Sequence, residues 1–177
     1  MCSHVIVIGV SGSGKSAVAE PLAMQLGFEF VEGDEYHPTM NIEKMSAGIP
    51  LSDADRWPWL RALADLLIAR HDQGISTVLA CSALRRAYRD VLRATVPRDE
   101  SFVIALDADE ATLRARLEHR RGHYMPTSLL DSQLATLEPL EPDEIGATVD
   151  ASGSLDALIA DAVTAVRAGH GTLGPGR

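Results

Sequence analysis

Long apolar runs are missing from this 177-residue chain, and so is any excess of positive charge. The longest uninterrupted apolar stretch falls far short of the roughly 20 residues of a membrane-spanning helix, so no membrane partner is expected. Sixteen Lys and Arg stand against 25 Asp and Glu, for a formal net charge of -9. That balance argues against DNA or RNA as a partner, because long polyanions need a broad basic surface. A small anion gripped by a few local arginines stays compatible with it. There are only two cysteines, Cys2 near the terminus and Cys81 at the end of an apolar strand, so both read as free thiols. Met1-Cys2-Ser3 leaves no room for a signal peptide before the first strand, and a cytoplasmic location is expected.

What is present suits one domain. A hydrophobic fraction of 46% supplies one substantial core, placed at residues 1–168, and the patternless 169–177 reads as a disordered tail. Apolar β-rich runs recur at Val5 to Ile8, Phe28 to Val31, Thr77 to Cys81, Phe102 to Leu106 and Ala147 to Val149. Helical patterns separate them at Ser16 to Leu26, Asp53 to His71, Arg85 to Ala94, Glu110 to Arg120 and Ser128 to Leu137, and another follows at Ser154 to Ala168. Such alternation predicts an α/β fold with a parallel sheet. Pro21 predicts an irregularity in the first helix, since its ring and missing N–H cost about 3 kcal/mol in a helix interior. Ser52 or Asp53 is a fitting cap for the long helix, and Gly74 follows its end.

The most informative stretch is His4-Val-Ile-Val-Ile-Gly9-Val-Ser-Gly-Ser-Gly14-Lys15-Ser16, a strand running into G-x-x-x-x-G-K-S. Gly9, Gly12 and Gly14 let the loop turn its N–H groups inward, with Ser11 and Ser13 between them, and the following helix adds its positive end. Lys15 reaches the β- and γ-phosphates and Ser16 offers a hydroxyl to Mg²⁺, so ATP and Mg²⁺ are the expected ligands.

Phosphoryl transfer also needs a positioned acceptor, a group to take its proton, and positive charge on the transferring oxygens. Gly33-Asp34-Glu35-Tyr36-His37-Pro38 follows the second strand, where a carboxylate points into the ligand crevice of a parallel sheet. Asp34 is the candidate base or ligand to a Mg²⁺-bound water. Lys44 and Arg56 flank a small-molecule pocket, and Trp57 and Trp59 serve either as its walls or as core. After the third strand Ser82 stands where many nucleotide hydrolases carry an acid, which argues against a motor or a switch GTPase. Arg85 and Arg89 are candidates to grip substrate oxygens.

Arg120-Arg-Gly-His-Tyr-Met-Pro126 interrupts two helices with clustered arginines, which suits a helical lid at about 120–126. Arg120 is the choice for phosphate and Arg116 for adenine, while Arg114 is expected to be an ordinary surface residue. Asp150-Ala-Ser152-Gly153 lies where an adenine-contacting loop belongs and reads equally well as a turn and cap.

Taken in order, the phosphate loop, Gly33-Asp-x-x-His37-Pro, Asn41-Ile-Glu-Lys-Met45, Gly48-x-Pro50-Leu51, Asp53-x-Asp-Arg-x-Pro-Trp-Leu60, Cys81-Ser-Ala-Leu84 with Tyr88-Arg89, Arg116-Leu with Arg120-x-Gly-His123, and Gln133 with Leu137-Glu138 closely resemble the gluconate kinases. The resemblance covers nearly the whole chain. It implies the shikimate-kinase-like fold, a P-loop NTPase three-layer sandwich with a five-stranded parallel sheet. It implies ATP-dependent phosphorylation of the 6-hydroxyl of D-gluconate, giving 6-phospho-D-gluconate for pentose phosphate or Entner-Doudoroff metabolism, usually by a homodimer. Carried over by motif, Asp34 serves as base, and Arg56, Arg85, Arg89, His123 and Gln133 become gluconate or lid contacts, with His37 beside them. Pro21, Arg85-Arg86 and Arg121 depart from the common pattern without removing a catalytic part.

Two rivals are distinguishable in the sequence. A shikimate or nucleoside monophosphate kinase of the same fold predicts other signatures, such as Asp-x-Asp after the second strand and a Gly-rich turn after the third. A module that binds ATP without turnover would not need Asp34 together with lid arginines.

Overall fold

The computed structural model describes residues 3–119 and 127–169. Five strands, β1 (His4–Ile8), β2 (Glu29–Glu32), β3 (Thr77–Ala80), β4 (Ser101–Asp107) and β5 (Gly146–Asp150), form one parallel sheet in the order β2-β3-β1-β4-β5. In the centre, His4 pairs in register with Thr77 on one side and Ser101 on the other. All five strands therefore point their C-terminal ends toward one rim, where ligands of such sheets bind.

Period-two alternation sorts β1 between two cores. Val5 and Val7 face one way, with Val78, Ala80, Ile104 and helices α1 (Lys15–Leu26) and α7 (Leu155–Gly169). Ile6 and Ile8 face the other, with Leu79, Val103 and helix α3 (Asp53–Asp72), which supplies Trp59, Leu60, Leu63 and Leu67. Both faces are covered, so the strands read as continuous apolar runs. At the C-terminal rim a smaller cluster joins Val10, Leu84, Leu113 and Leu130, bringing α5 (Glu110–His119) and α6 (Thr127–Thr136) under the loop after β1.

Two sequence expectations change here. α1 runs unbroken through Pro21, and the carbonyl four residues back belongs to Ala17, which is exposed. Water can satisfy that carbonyl, so the irregularity expected of Pro21 does not appear as a break in the helix. A further helix, α2 (Thr39–Ser46), lies in a stretch that carried no helical pattern, and Asn41 is its one buried residue. α3 begins as expected: Ser52 and Asp55 make a reciprocal capping box. α4 (Arg86–Arg93) packs beside α3 and contributes Tyr88 and Leu92 to the same core.

Candidate active site

The loop Gly9–Ser16 joins β1 to α1 at the centre of the rim. Gly14 caps α1 with φ +95°, a left-handed conformation natural to glycine, and as a glycine it brings no side chain to cap the first N–H groups of the helix. Those donors and the helix dipole make an anion cradle. Gly12, at φ +83°, has no room for a side chain: a Cβ there would lie 3.0 Å from Leu113 O and 3.1 Å from Leu117 Cγ. Lys15 Nζ donates to Val10 O at 3.2 Å, and the Ser11 N–H donates to Gln133 Oε1 at 2.7 Å. α6 therefore braces the loop from outside.

Carboxylates approach from β2. Gly33 opens a 3₁₀ turn that ends at Tyr36, and it presses so closely on β3 that a Cβ would fall 2.5 Å from Ala80 O. The Trp59 indole N–H clasps Gly33 O at 2.7 Å. Just before the turn, Glu32 accepts a 2.5 Å hydrogen bond from Ser16 Oγ, and its other oxygen faces the Asp34 N–H at 3.4 Å. Asp34 itself is open to solvent, with a side chain 66% exposed. The sequence reading ended this strand at Val31 and missed Glu32. The spacing Glu32-Gly-Asp34 was the available signal, because it sets two carboxylates on the same side of a short turn.

Beyond Asp34 the wall becomes cationic and aromatic. His37 stacks on Trp59 with ring centroids 4.2 Å apart, its Nε2 4.0 Å from Asp34 Oδ1. Burial holds the imidazole down to about pKa 4; Asp34 pulls it upward and Arg56 downward by less, so the ring is neutral near neutral pH. Arg56 is 7% exposed and lies over the Tyr88 ring at 5.9 Å, and burial pushes its guanidinium below the ordinary value. It hydrogen-bonds no acceptor among the described residues. Arg85 donates to Asp53 Oδ2 at 2.9 Å, and the Tyr88 hydroxyl donates to Asp53 Oδ1 at 2.6 Å. Lys44 pairs with Asp55 at 2.6 Å, the main reason the Asp55 carboxyl sits at about 2. Trp57 meets Tyr88 edge-on.

A triphosphate cradle, two carboxylates and a buried guanidinium thus lie along one connected rim, and comparison with known proteins decides the family. The AAA domain family matches residues 5–140. A gluconokinase of Gluconobacter oxydans is 50% identical over 140 residues, 79% of this chain and 78% of the relative. The thermoresistant gluconokinase of Escherichia coli K12 is 42% identical over 168 residues, 94% of this chain and 95% of its own. The chain belongs to the gluconokinase family. The crystal structure of a gluconokinase from Sinorhizobium meliloti superposes with a TM-score of 0.86 at 43% identity, covering 94% of this chain and 92% of that one. An APS kinase of Mycobacterium tuberculosis, at 18% identity and a TM-score of 0.67, shares the fold.

Within this gluconokinase scaffold the sequence candidates separate. Ser16, Asp34, His37, Arg56 and Arg85 come together along the rim through Glu32, Trp59 and Tyr88. Arg89 does not join them, and its expected grip on substrate is corrected. It is fully buried, and all five of its N–H donors are occupied, by both oxygens of Glu144 at 2.7 Å and by Leu84 O, Glu138 O and Pro139 O. Gln133 lies on the phosphate loop. Arg116 donates to Ala151 O at 2.6 Å, joining α5 to the loop after β5. Arg114 pairs on the surface with Glu110 and Asp131. Ser82 is buried, and Cys81 is a buried free thiol pushed up to about pKa 12 by burial, too high to be reactive. Arg120, Arg121, His123, the expected lid at 120–126, Cys2 and all but the first residue of the expected tail lie outside the described residues.

Proposed function

We propose that this chain transfers the γ-phosphoryl group of ATP to the 6-hydroxyl of D-gluconate, giving 6-phospho-D-gluconate and ADP. The observation that carries the choice of acceptor is Arg56. A guanidinium that is nearly buried and flanked by the Tyr88 ring feels Asp53 and Asp55 only at a distance, and among the described residues no acceptor hydrogen-bonds it, so burial outweighs what the protein offers its charge. A carboxylate ligand answers it, and Arg85 beside the same ring offers a second donor set. Relatives named gluconokinase at 42% and 50% identity supply the acid of that class.

The chain's own groups divide the chemistry. The N–H groups of the loop and Lys15 hold the phosphates, Asp34 takes the proton of the attacking hydroxyl, and that oxygen bonds to the γ-phosphorus as ADP leaves. Ser16 and Glu32 are hard oxygen donors side by side, a set that fits Mg²⁺, which would offset the phosphate charge there. By motif, Arg120 is proposed to stabilise the transferring group, His123 to contact gluconate and Arg116 to face adenine. A cytoplasmic homodimer is part of the same reading, and sedimentation tests the assembly. No described helix is long and apolar enough to cross a membrane.

A coupled ADP-release assay with Mg-ATP against gluconate, shikimate, AMP, other sugar acids and neutral sugars tests the substrate. Turnover confined to gluconate, with gluconate KM raised and ATP KM unmoved in Arg56→Met, is the expected result. Equal turnover of a neutral sugar would overturn it.

A further inference from the structure

α2 buries a single side chain, and it is polar. Asn41 is 3% exposed and the one buried residue of a helix that otherwise carries half-buried and exposed side chains, so its amide must be satisfied internally. One atom of that amide lies 2.8 Å from the backbone oxygen of Asp55, which can only accept; the atom is therefore the nitrogen. The same nitrogen lies 3.2 Å from His37 Nδ1. An amide nitrogen carries two hydrogens and accepts none, so Nδ1 must be the acceptor and the ring proton sits on Nε2. Stacking on Trp59, with the planes 14° apart, fixes the ring's orientation, and Trp59 is itself tied to Gly33 O.

We infer that Asn41 is a positioning residue that holds His37 as the Nε2–H tautomer, with that N–H aimed beside Asp34. The separation of 4.0 Å between Nε2 and Asp34 Oδ1 is too long for a direct hydrogen bond. A hydroxyl oxygen set beside both groups accepts from His37 and donates its own proton to Asp34. Its remaining lone pair is then directed by two fixed partners, which orients the attacking oxygen. No bond to His37 forms or breaks; the proton that moves is the hydroxyl's, and it goes to Asp34. In the opposite tautomer Nε2 would accept, and would compete with Asp34 for that proton. This role rests on the gluconate reading for the identity of the hydroxyl, but not for the tautomer.

The tautomer is read directly from long-range ¹H–¹⁵N spectra of the full chain, where the two ring nitrogens of His37 give distinct shifts. A single Nε2–H pattern is expected for the wild type, and loss of that uniform pattern in Asn41→Leu. Kinetics then compare two variants of His37. The side-chain nitrogen of Gln reaches the Nε2 position, whereas that of Asn reaches only the Nδ1 position. His37→Gln should retain a kcat about tenfold above that of His37→Asn, the scale of one well-made hydrogen bond, with ATP KM the same in both. A wild-type spectrum with the proton on Nδ1 overturns the inference, as does equal kcat in the two variants. Either result leaves gluconate turnover by the wild type standing. Failure of gluconate turnover with the Nε2–H pattern intact would instead remove the proposed substrate.

Discussion

The Ser16 hydroxyl donates a 2.5 Å hydrogen bond to the Glu32 carboxylate, joining the last residue of the phosphate loop to the last residue of β2. One residue of that pair belongs to the nucleotide loop and the other lies two positions before Asp34. The bond therefore ties the phosphate cradle to the acceptor side of the crevice.

Glu32→Gln tests that link. It keeps the shape and an oxygen for Ser16 but removes the charge that a divalent cation requires. The Mg²⁺ concentration giving half-maximal rate should rise about tenfold or more, while binding of metal-free ATP is unchanged or tightened by loss of a nearby negative charge. Calorimetric titration of ATP with and without Mg²⁺ separates the two effects. An unchanged Mg²⁺ dependence would make Glu32 a turn cap only.

Asp34→Asn should lower kcat by roughly 10²-fold or more, the scale of general-base catalysis, with ATP binding largely intact. Pre-steady-state measurement of ADP release is the decisive readout, since slow product release could mask a defect in chemistry. A near-normal rate for the chemical step would remove Asp34 as the base.

The parts of this site that were legible in the sequence are the ones made by contiguous residues. Gly9–Ser16 and Asp34 through His37 are read in one pass because backbone turn and chemistry share a single stretch, and β1, β3 and β4 carry their apolar runs to within a residue or two of the observed ends. What escaped depends on distant partners. Arg89 reads as a substrate ligand because it lies with Arg85 just after the third strand and belongs to the Tyr88-Arg89 motif, yet its counter-charge, Glu144, lies 55 residues away and only the fold brings them together. Glu32 was hidden by its place at the end of a strand, where a charged residue usually marks the exit to solvent. α2 was hidden because its buried face is one asparagine rather than an apolar stripe. Gln133 was visible as a motif residue, but its hold on the Ser11 N–H reflects α6 folding back over the loop.

That hold leads to a pair of substitutions with opposite electrostatics. Gln133→Leu leaves a partly buried N–H without its acceptor, worth about 1–3 kcal/mol, and should raise ATP KM about tenfold. Gln133→Glu restores an acceptor but sets a negative charge beside the phosphates, so its ATP KM should rise further and fall again with salt. Steady-state kinetics at low and high ionic strength distinguish them. If Glu binds ATP as tightly as Gln, the residue is not at the phosphates.

Arg89 makes a stability prediction rather than a catalytic one. Its pair with Glu144 is fully buried, and losing Arg89 leaves that carboxylate a longer 3.5 Å contact with Arg93 and the Glu141 N–H; breaking such a buried pair typically costs about 3–5 kcal/mol. Arg89→Met should lower Tm by about 10 °C, and adding Glu144→Leu should recover part of the loss, because a buried carboxylate that Arg93 alone compensates poorly is gone. Gluconate KM measured well below Tm should stay within about twofold of wild type. A large rise in KM without a change in Tm would return Arg89 to the substrate site.

At the opposite end of the sheet, His4 is fully buried on β1, with Nδ1 2.7 Å from Thr77 Oγ1 and its ring 5.9 Å from that of His71, which lies near Glu100. Burial, aided by His71, holds the His4 pKa at about 4. The unfolded chain binds this proton near pH 6.5 and the folded chain only near 4, so between those values unfolding takes up protons. Stability from this group is fully present above about pH 6.5 and is lost as pH falls toward 4. From about pH 7.5 to about pH 5 the loss is about 2 kcal/mol for His4, and His37 adds a loss of the same sign. Asp55 and Asp143, both at about 2, titrate below this window. Urea unfolding across that range should therefore show wild-type stability falling steeply, and His4→Gln, though weaker at neutral pH, falling by about 2 kcal/mol less. Parallel pH dependence in the two proteins would mean that the folded chain binds the His4 proton as readily as the unfolded chain does.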